Sequence, residues 1–385
     1  MGPDLLTRRA LNRALLERQH LLRRAPVTAP TGTDRGGQVT ALVEHLVGMQ
    51  AQAPFPPYFG LLSRLEDFRA ADLADLLVSR DVVRIGLMRG TIHLVSARDC
   101  LTLRPLVQPV LDRALSTTFG RQLAGADVRA VASAGRELVE ERPLTFAELG
   151  GLLAGPWPDH PPAALAQAVR ALVPLVQVPP RAVWGKAGQA RHTSAESWLG
   201  RPLDVDPSLE SLVERYLAAF GPAAVADVQA WSGLTRLREV TDRMGPGLRV
   251  FRDEDGRELL DLPDAPRPSP DTPAPVRLVA EYDNLILSHA DRTRIMSETQ
   301  RKRLFSVPNG VFPGTVLVDG FVAGMWRVSR SRTAATLTVE LFDEPVSGPD
   351  RDALTSEAGR VLAFAAPQAG PHEVRFASRG ATKAG

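Results

Sequence analysis

The chain has 385 residues, 44% of them hydrophobic, which suits two or three compact units better than one. Its 46 basic and 44 acidic residues leave a formal charge of +2, so total charge alone selects no partner. A single cysteine, Cys100, excludes an intrachain disulfide framework and a thiolate metal cluster, and the seven histidines are scattered without metal-site spacing.

No apolar run reaches membrane-spanning length, and MGPDLLTRRALNRALLERQHLL is too interrupted by charge for a signal peptide; the expected location is the cytoplasm, at the nucleoid. Lysine occurs only at Lys186, Lys302 and Lys383, so nearly all positive charge is arginine. Arginine's planar fork suits phosphates and base edges, although a GC-rich genome gives the same bias with no functional cause.

Leu11, Leu15, Leu16 and Leu22 open the chain on a helical spacing. After the polar stretch Thr31 to Gly37, VTALVEHLVGMQ is a second amphipathic helix, expected to stop near Gln50 because Pro54, Pro56 and Pro57 cannot continue it. Phe59, Leu62 and Leu65 mark a third helix, and ADLADLLVSR a fourth. The period then changes: VVRIGLMRGTIHLVS reads as two β-rich runs joined near Arg89-Gly90. Helices followed by a hairpin make the winged-helix plan.

A second, weaker pass has helices at Val128 to Leu138, in TFAELGGLL behind a capping threonine, and in PAALAQAVRALV. Leu175 to Val178 is expected as a strand, with Arg181 to Trp184 beginning its return. The third pass runs LESLVERYLAAF, AAVADVQAWSG and LTRLREVTDRM, then LRVFRDEDGRELLDL, a hairpin turning at Asp255-Gly256 with Val250, Leu259 and Leu260 as its apolar faces. Five prolines between Pro266 and Pro275 read as an extended linker or wrapping segment. VRLVAEYDNLIL, GTVLVDGFVAGMWRV and AATLTVELF are strand-like, DALTSEAGRVLAFA is a closing helix, and the tail after Phe376 frays. The expected fold class is α+β: three tandem winged-helix units over 8–120, 121–200 and 201–265, then a small mixed α/β cap over 276–375.

Gln50-Ala51-Gln52 is the most unusual local feature. With the chain extended at Ala51, both side chains project to one face. Two neutral amides can hold a water, or clamp a base edge or sugar, but cannot act as general bases. The alternative is that they cap a helix end and solvate the surface. His45, one turn before Met49, is either a core histidine at a wet edge or a DNA contact. Arg80, Arg84, Arg89 and Arg98 surround the first wing and suit phosphates or plain solvation. Arg181, Lys186, Arg191 and His192 form a basic run interleaved with Trp184. In EYDNLILSHADRTRIM, Asp283, Asn284, Ser288, His289, Asp291, Arg292 and Arg294 crowd an apolar run, which signals a satisfied polar network or a ligand surface. Val316 to Phe321 turns at Asp319-Gly320 and returns through Met325, Trp326 and Arg327, either a groove-entering hairpin or a sheet edge.

Four blocks in this order, VGMQAQAPFPPYFGL, VVRIGLMRGTIHLVSARD, EYDNLILSHADR and FPGTVLVDGFVAGMWRV, resemble those of the winged-helix DNA-binding family that includes the AlkZ- and YcaQ-like DNA glycosylases. The resemblance spans about residues 8 to 370. It implies three tandem winged-helix units around a concave DNA channel, with a catalytic motif of glutamine, any residue, then glutamine or aspartate falling on Gln50 and Gln52. That is the double-glutamine, crosslink-unhooking subtype, associated with antibiotic self-resistance. A hairpin described for crosslink processing maps onto Val316 to Arg327.

The implied activity is hydrolysis of the glycosidic bond of N7-alkylguanine in double-stranded DNA, crosslinks included. Such a base is already cationic, so positioning a water and stabilising the oxocarbenium sugar suffice, without metal or organic cofactor. The motif has no lysine beside it to form a Schiff base, which favours a monofunctional enzyme leaving an abasic site. A crosslinked base cannot be fully flipped out, which favours an open channel, and 5% aromatic content offers few stacking residues. The expected footprint on DNA is His45, Arg84, Arg89, Lys186, Arg191, His289, Arg292, Arg294, Phe321, Trp326 and Arg327, with the protein acting as a monomer and needing no protein partner. The competing readings are a regulator whose wings read DNA without breaking a bond, which needs more basic recognition helices than DLADLLVSR and LTRLREVTDRM, and a scaffold whose winged units bind protein.

Overall fold

A computed structural model describes residues 4–27, 35–306, 312–331, 333–342 and 346–377, so most of the polar stretch before Arg35 and all of the tail after 377 lie outside the described residues. The fold is mixed α+β. Strand β1 (Asp4–Leu6) and helix α1 (Arg8–Arg18), capped by the Thr7 hydroxyl, come first. The first pass is α2 (Arg35–His45), β2 (Met49–Gln50), α3 (Pro56–Arg64), α4 (Ala70–Ser79) and the hairpin β3 (Val82–Gly86) with β4 (Ile92–Ser96). Helices α5 (Ala97–Leu106) and α6 (Gln108–Phe119) follow, neither of them anticipated from the sequence.

The second pass has α7 (Val128–Glu141), α8 (Phe146–Leu153) and α9 (Pro162–Leu172), then β5 (Leu175–Gln177), β6 (His192–Ser194) and the short α10 (Ala195–Leu199). Thr145 caps α8 in a capping box with Glu148, as its position suggested. The return strand of this hairpin is β6; Arg181 to Trp184 form a turn instead, folded so that Tyr58 donates its hydroxyl to the Ala182 carbonyl.

The third pass is α11 (Leu209–Phe220), α12 (Val225–Ser232), α13 (Leu237–Met244) and the hairpin β7 (Arg249–Asp253) with β8 (Glu258–Asp261). Phe251, not Val250, fills its apolar face: Phe251 is buried and Val250 exposed, because the alternation along β7 starts one residue later than expected. The C-terminal segment has β9 (Arg277–Val279), α14 (Asn284–Leu287), α15 (Glu298–Phe305), β10 (Gly314–Val318), β11 (Phe321–Arg330), β12 (Ala335–Leu341), α16 (Gly348–Ala365) and β13 (His372–Ala377).

The sheets join what the sequence suggested were separate hairpins. The first two hairpins pair through β3 and β5 into one five-stranded sheet of order β2-β4-β3-β5-β6. The third takes β1 in parallel beside β7. The C-terminal sheet has the order β13-β12-β11-β10-β9.

The packing follows the same lines. Helices α7 to α9 bury a core of their own around Val131, Leu149 and Leu165. Helices α2 to α4 instead share a core with the C-terminal sheet and α16, through Val43, Leu61, Val316, Leu337 and Leu362. The third-pass helices share theirs with the first hairpin, through Val83, Val95, Leu217 and Trp231. The proline-rich stretch wraps α1, whose buried arginines satisfy its carbonyls: Arg13 Nε donates to Thr272 O at 2.6 Å and Arg18 Nε to Pro266 O at 3.2 Å. Gln50 therefore lies where the first pass, the third pass and the C-terminal segment meet.

Candidate active site

Helix α2 does not run to Gln50. It ends at His45, and two consecutive left-handed residues, Val47 at φ 52° and Gly48 at φ 85°, swing the chain into β2. Glycine adopts such a φ freely, whereas a β-branched valine there is strained. The burial of Val47 in the core holds it in place. The prolines are not the helix stop; Pro56 and Pro57 open α3.

In β2, Gln50 pairs with His93 of β4, and the next residue continues the ladder as Ala51 N–H donates to Ile92 O at 2.7 Å. The backbone is thus extended through Ala51, and both glutamines lean on the same hairpin. Gln50 Oε1 accepts from Arg89 Nη2 at 2.7 Å, and Gln52 Oε1 accepts from the Ile92 N–H at 3.1 Å. Gln50 is buried and Gln52 exposed. Neither NH2 group donates to a described residue, and each oxygen keeps a second lone pair.

Arg89 is the hub of the site. It sits at φ 57° in the turn between β3 and β4, which turns its guanidinium inward. Besides Gln50 it donates to Asn284 Oδ1 at 3.2 Å and to the Trp231 carbonyl, linking the first hairpin to α12 and α14. Burial, and then the charge of Arg292, push its pKa down to about 10, so it remains a cation at neutral pH.

Asn284 reaches this point because Asp283 caps α14, its carboxylate accepting from Leu285 N–H at 2.9 Å. The same carboxylate takes both arms of Arg64 from α3 at 2.8 Å each, a buried fork-to-fork pair. Arg64 also donates to Gln19 Oε1 at 3.0 Å. Gln19, Gln50, Arg64, Glu281, Asp283 and Asn284 line a cavity of about 20 Å³.

A family model described as DNA glycosylase AlkZ-like matches residues 43–364, most of the chain. The chain belongs to the AlkZ-like DNA glycosylase family. An interstrand DNA cross-link repair glycosylase from Streptomyces sahachiroi is 24% identical over 162 residues, which is 40% of this chain and 43% of that protein; the match thus spans less than half of that relative's length. The solved structure of Streptomyces sahachiroi DNA glycosylase AlkZ shares the fold, with a TM-score of 0.76 at 18% identity over 97% of this chain and all of that one.

The structure sorts the remaining sequence-derived residues. Arg84 is corrected from a surface phosphate contact to a buried clamp: its Nη2 donates to Ala51 O and its Nη1 to Gln177 Oε1, each at 2.6 Å, fixing the segment that carries Gln52. His289 is buried between Ser288 and the Phe220 carbonyl, and burial holds its imidazole neutral. Arg294 is buried against the Pro222 carbonyl, which accepts from it at 2.7 Å. Trp326 is buried too, its Nε1 donating to Val279 O at 2.8 Å. All four are buried.

The hairpin around Asp319-Gly320 is not a sheet edge: β10 and β11 are both interior strands, and their turn is pinned by Arg9, Asn12 and Arg13 of α1. His45 is half-buried, its Nε2 on Arg18 O at 2.6 Å. Arg292 donates to Ile286 O at 2.9 Å and stacks over Phe305. Arg191 forks onto Glu148, and Phe321 is half-buried. Lys186 and Arg327 are exposed. Among the described residues no group of histidine, cysteine, aspartate and glutamate is arranged to hold a metal, and no helix is long and apolar enough to cross a membrane. Sequence reasoning missed Gln19, Arg64 and Glu281. The one available signal was a carboxylate two residues before Asp283, hidden in a run read as strand.

Proposed function

We propose that this chain is a monofunctional DNA glycosylase that hydrolyses the N-glycosidic bond of N7-alkylguanine in double-stranded DNA, bulky adducts and interstrand crosslinks included, and leaves an abasic site. The observation that carries this reading is the pair Gln50, at the end of β2, and Gln52, in the bend just after it, with both carboxamide oxygens anchored on one hairpin and both NH2 groups unengaged by described residues. Anchored neutral amides are suited to orient a water and to offer lone pairs to a developing oxocarbenium sugar, without reorganising as charge develops. They suit a leaving group that is already cationic, because such a base departs neutral and needs no strong acid. The name of the Streptomyces sahachiroi relative, an interstrand cross-link repair glycosylase, points the same way.

Lys186, Arg191, Phe321 and Arg327 remain the proposed outer DNA contacts, and the protein acts as a monomer at the nucleoid. The test is base release from an N7-methylguanine duplex and from an N7-crosslinked duplex, with alkali cleavage reporting abasic sites. Release from either, without added metal, is the expected result. Tight binding of both with no release overturns the reading and favours a DNA-binding regulator.

A further inference from the structure

The cavity beside Gln50 holds polar groups that no described residue satisfies. Asn284 is only 6% exposed, yet its Nδ2 has no hydrogen-bond partner. Its orientation is fixed, because Arg89 donates to Oδ1 and turns the NH2 group away. Arg89 imposes the same orientation on Gln50, whose NH2 group is also unengaged. The third group is Glu281, half-buried, whose carboxylate makes no hydrogen bond or ion pair with a described residue. Tyr282, immediately after it, is held at φ 57°, a strained conformation of the kind that aims side chains at functional sites. A cavity of about 20 Å³ accommodates one water, which needs roughly 10–15 Å³ and two to four polar partners.

We propose that Glu281 is the proton acceptor for a hydrolytic water held in this cavity by the NH2 groups of Gln50 and Asn284. The inference rests on the glycosylase reading above. The water oxygen attacks C1′ of the damaged nucleotide as the C1′–N9 bond breaks. The bonding pair moves into the cationic N7-alkylguanine, which leaves neutral. The water proton passes to a Glu281 carboxylate oxygen, and C1′ keeps the hydroxyl of the abasic sugar. Proton acceptance is the function that the two amides cannot supply, which gives the carboxylate and the glutamines separate roles.

Among the described residues, the two arginines nearest the cavity are engaged with other partners. Arg64 of α3 forks onto Asp283, Arg89 of the first hairpin holds Gln50 and Asn284, and the neighbouring Tyr282 phenol is shifted upward by its own desolvation and the Glu281 charge. Desolvation raises the Glu281 pKa above the usual carboxylate value, towards the working pH of a general base.

The experiment is single-turnover release of N7-methylguanine from duplex DNA between pH 4.5 and 8 by the full chain and by Glu281→Gln, with the Tm of each. The wild-type rate should climb with pH through the Glu281 titration and then level. Glu281→Gln should lose about 10²-fold or more and lose that climb, while its Tm stays equal or rises because an unpaired desolvated charge is gone. A Glu281→Gln rate and profile matching wild type overturn this inference and leave the glycosylase standing. A Tm several degrees lower identifies a structural carboxylate and overturns it as well. No release by wild type at any pH overturns the glycosylase reading and this inference together.

Discussion

Replacing Arg89 with methionine separates an inward-facing hub from a phosphate contact. The change keeps much of the side-chain length but removes the donors to Gln50 Oε1, Asn284 Oδ1 and the Trp231 carbonyl. Hydrogen bonds from a charged donor contribute about 1.5–3 kcal/mol each. Their sum overstates the loss, because the substitution also removes a desolvated cation, whose pKa burial pushes down to about 10. A net destabilisation of about 2–4 kcal/mol follows, or a Tm lower by about 2–5 °C for a chain of 385 residues. The functional effect should be larger than the stability effect. With Gln50 and Asn284 released, the amides lose a fixed orientation, and misplacement on the scale of 1 Å costs about 10²-fold in rate. Single-turnover base release at saturating enzyme should fall by that factor, while duplex affinity and its salt dependence stay unchanged. The reasoning is refuted by the reverse pattern: an unchanged saturating rate, weaker binding to every duplex, and a log–log salt slope reduced by about 0.9, the signature of one lost phosphate contact.

Four other substitutions probe the frame and the footprint. Asp283→Ala strands the Arg64 cation inside the protein and should cost about 3–5 kcal/mol in chemical denaturation, and a midpoint shift under a quarter of that would remove the pair from the account. Buried His93 and His192 have pKa values pushed down to about 3 and about 4 by desolvation. Above pH of about 6.5 neither folded nor unfolded chain protonates them, but below it only the unfolded chain does, so stability should fall as pH drops from 6.5 towards 4. His93→Asn should flatten that decline by roughly 1.4 kcal/mol per pH unit in urea melts, and an unaltered slope would show that His93 is charged in the folded protein. Lys186→Glu and Arg327→Glu should weaken binding to damaged and undamaged duplexes alike and lower the salt slope, whereas unchanged slopes in both would take these exposed cations off the DNA path.

Much of the fold was legible where local chemistry and burial agree. The helix over LESLVERYLAAF, the Thr145 cap and the Arg89-Gly90 turn follow from periodicity, capping and turn chemistry, and each appears where the sequence put it. Other features depend on partners far away in the chain. The pairing of β3 with β5, and of β1 with β7, leaves no trace in either segment taken alone. VRLVAEYDNLIL reads as strand because it is apolar and β-rich, but Asp283 caps a helix there while paired with Arg64, 219 residues away. The stop of α2 was placed at the prolines because no sequence rule anticipates a left-handed valine.

The site divides in the same way. The extended backbone at Ala51 that brings the two glutamines onto one hairpin was open to a sequence reading, although Gln52 itself lies in a bend. Which arginines face inward was not, since Arg84 and Arg89 look alike in sequence to surface cations and only tertiary acceptors turn them in. Burial likewise removed Trp326 and His289 from the expected footprint.

The most direct test of the central claim is single-turnover base release from an N7-methylguanine duplex by wild type and by the Gln50→Ala, Gln52→Ala double variant, with duplex affinity and Tm measured alongside. Wild type should release base, and the double variant should lose most of that rate while keeping its fold and nearly all of its affinity, because the contacts removed act in the transition state. Adding Gln52→Glu reports how the second amide works: retained activity indicates stabilisation of the charged sugar, and collapse indicates donation from the NH2 group. Base release undiminished in the double alanine variant would leave a glycosylase whose catalytic centre is not at Gln50 and Gln52, contradicting the site described here.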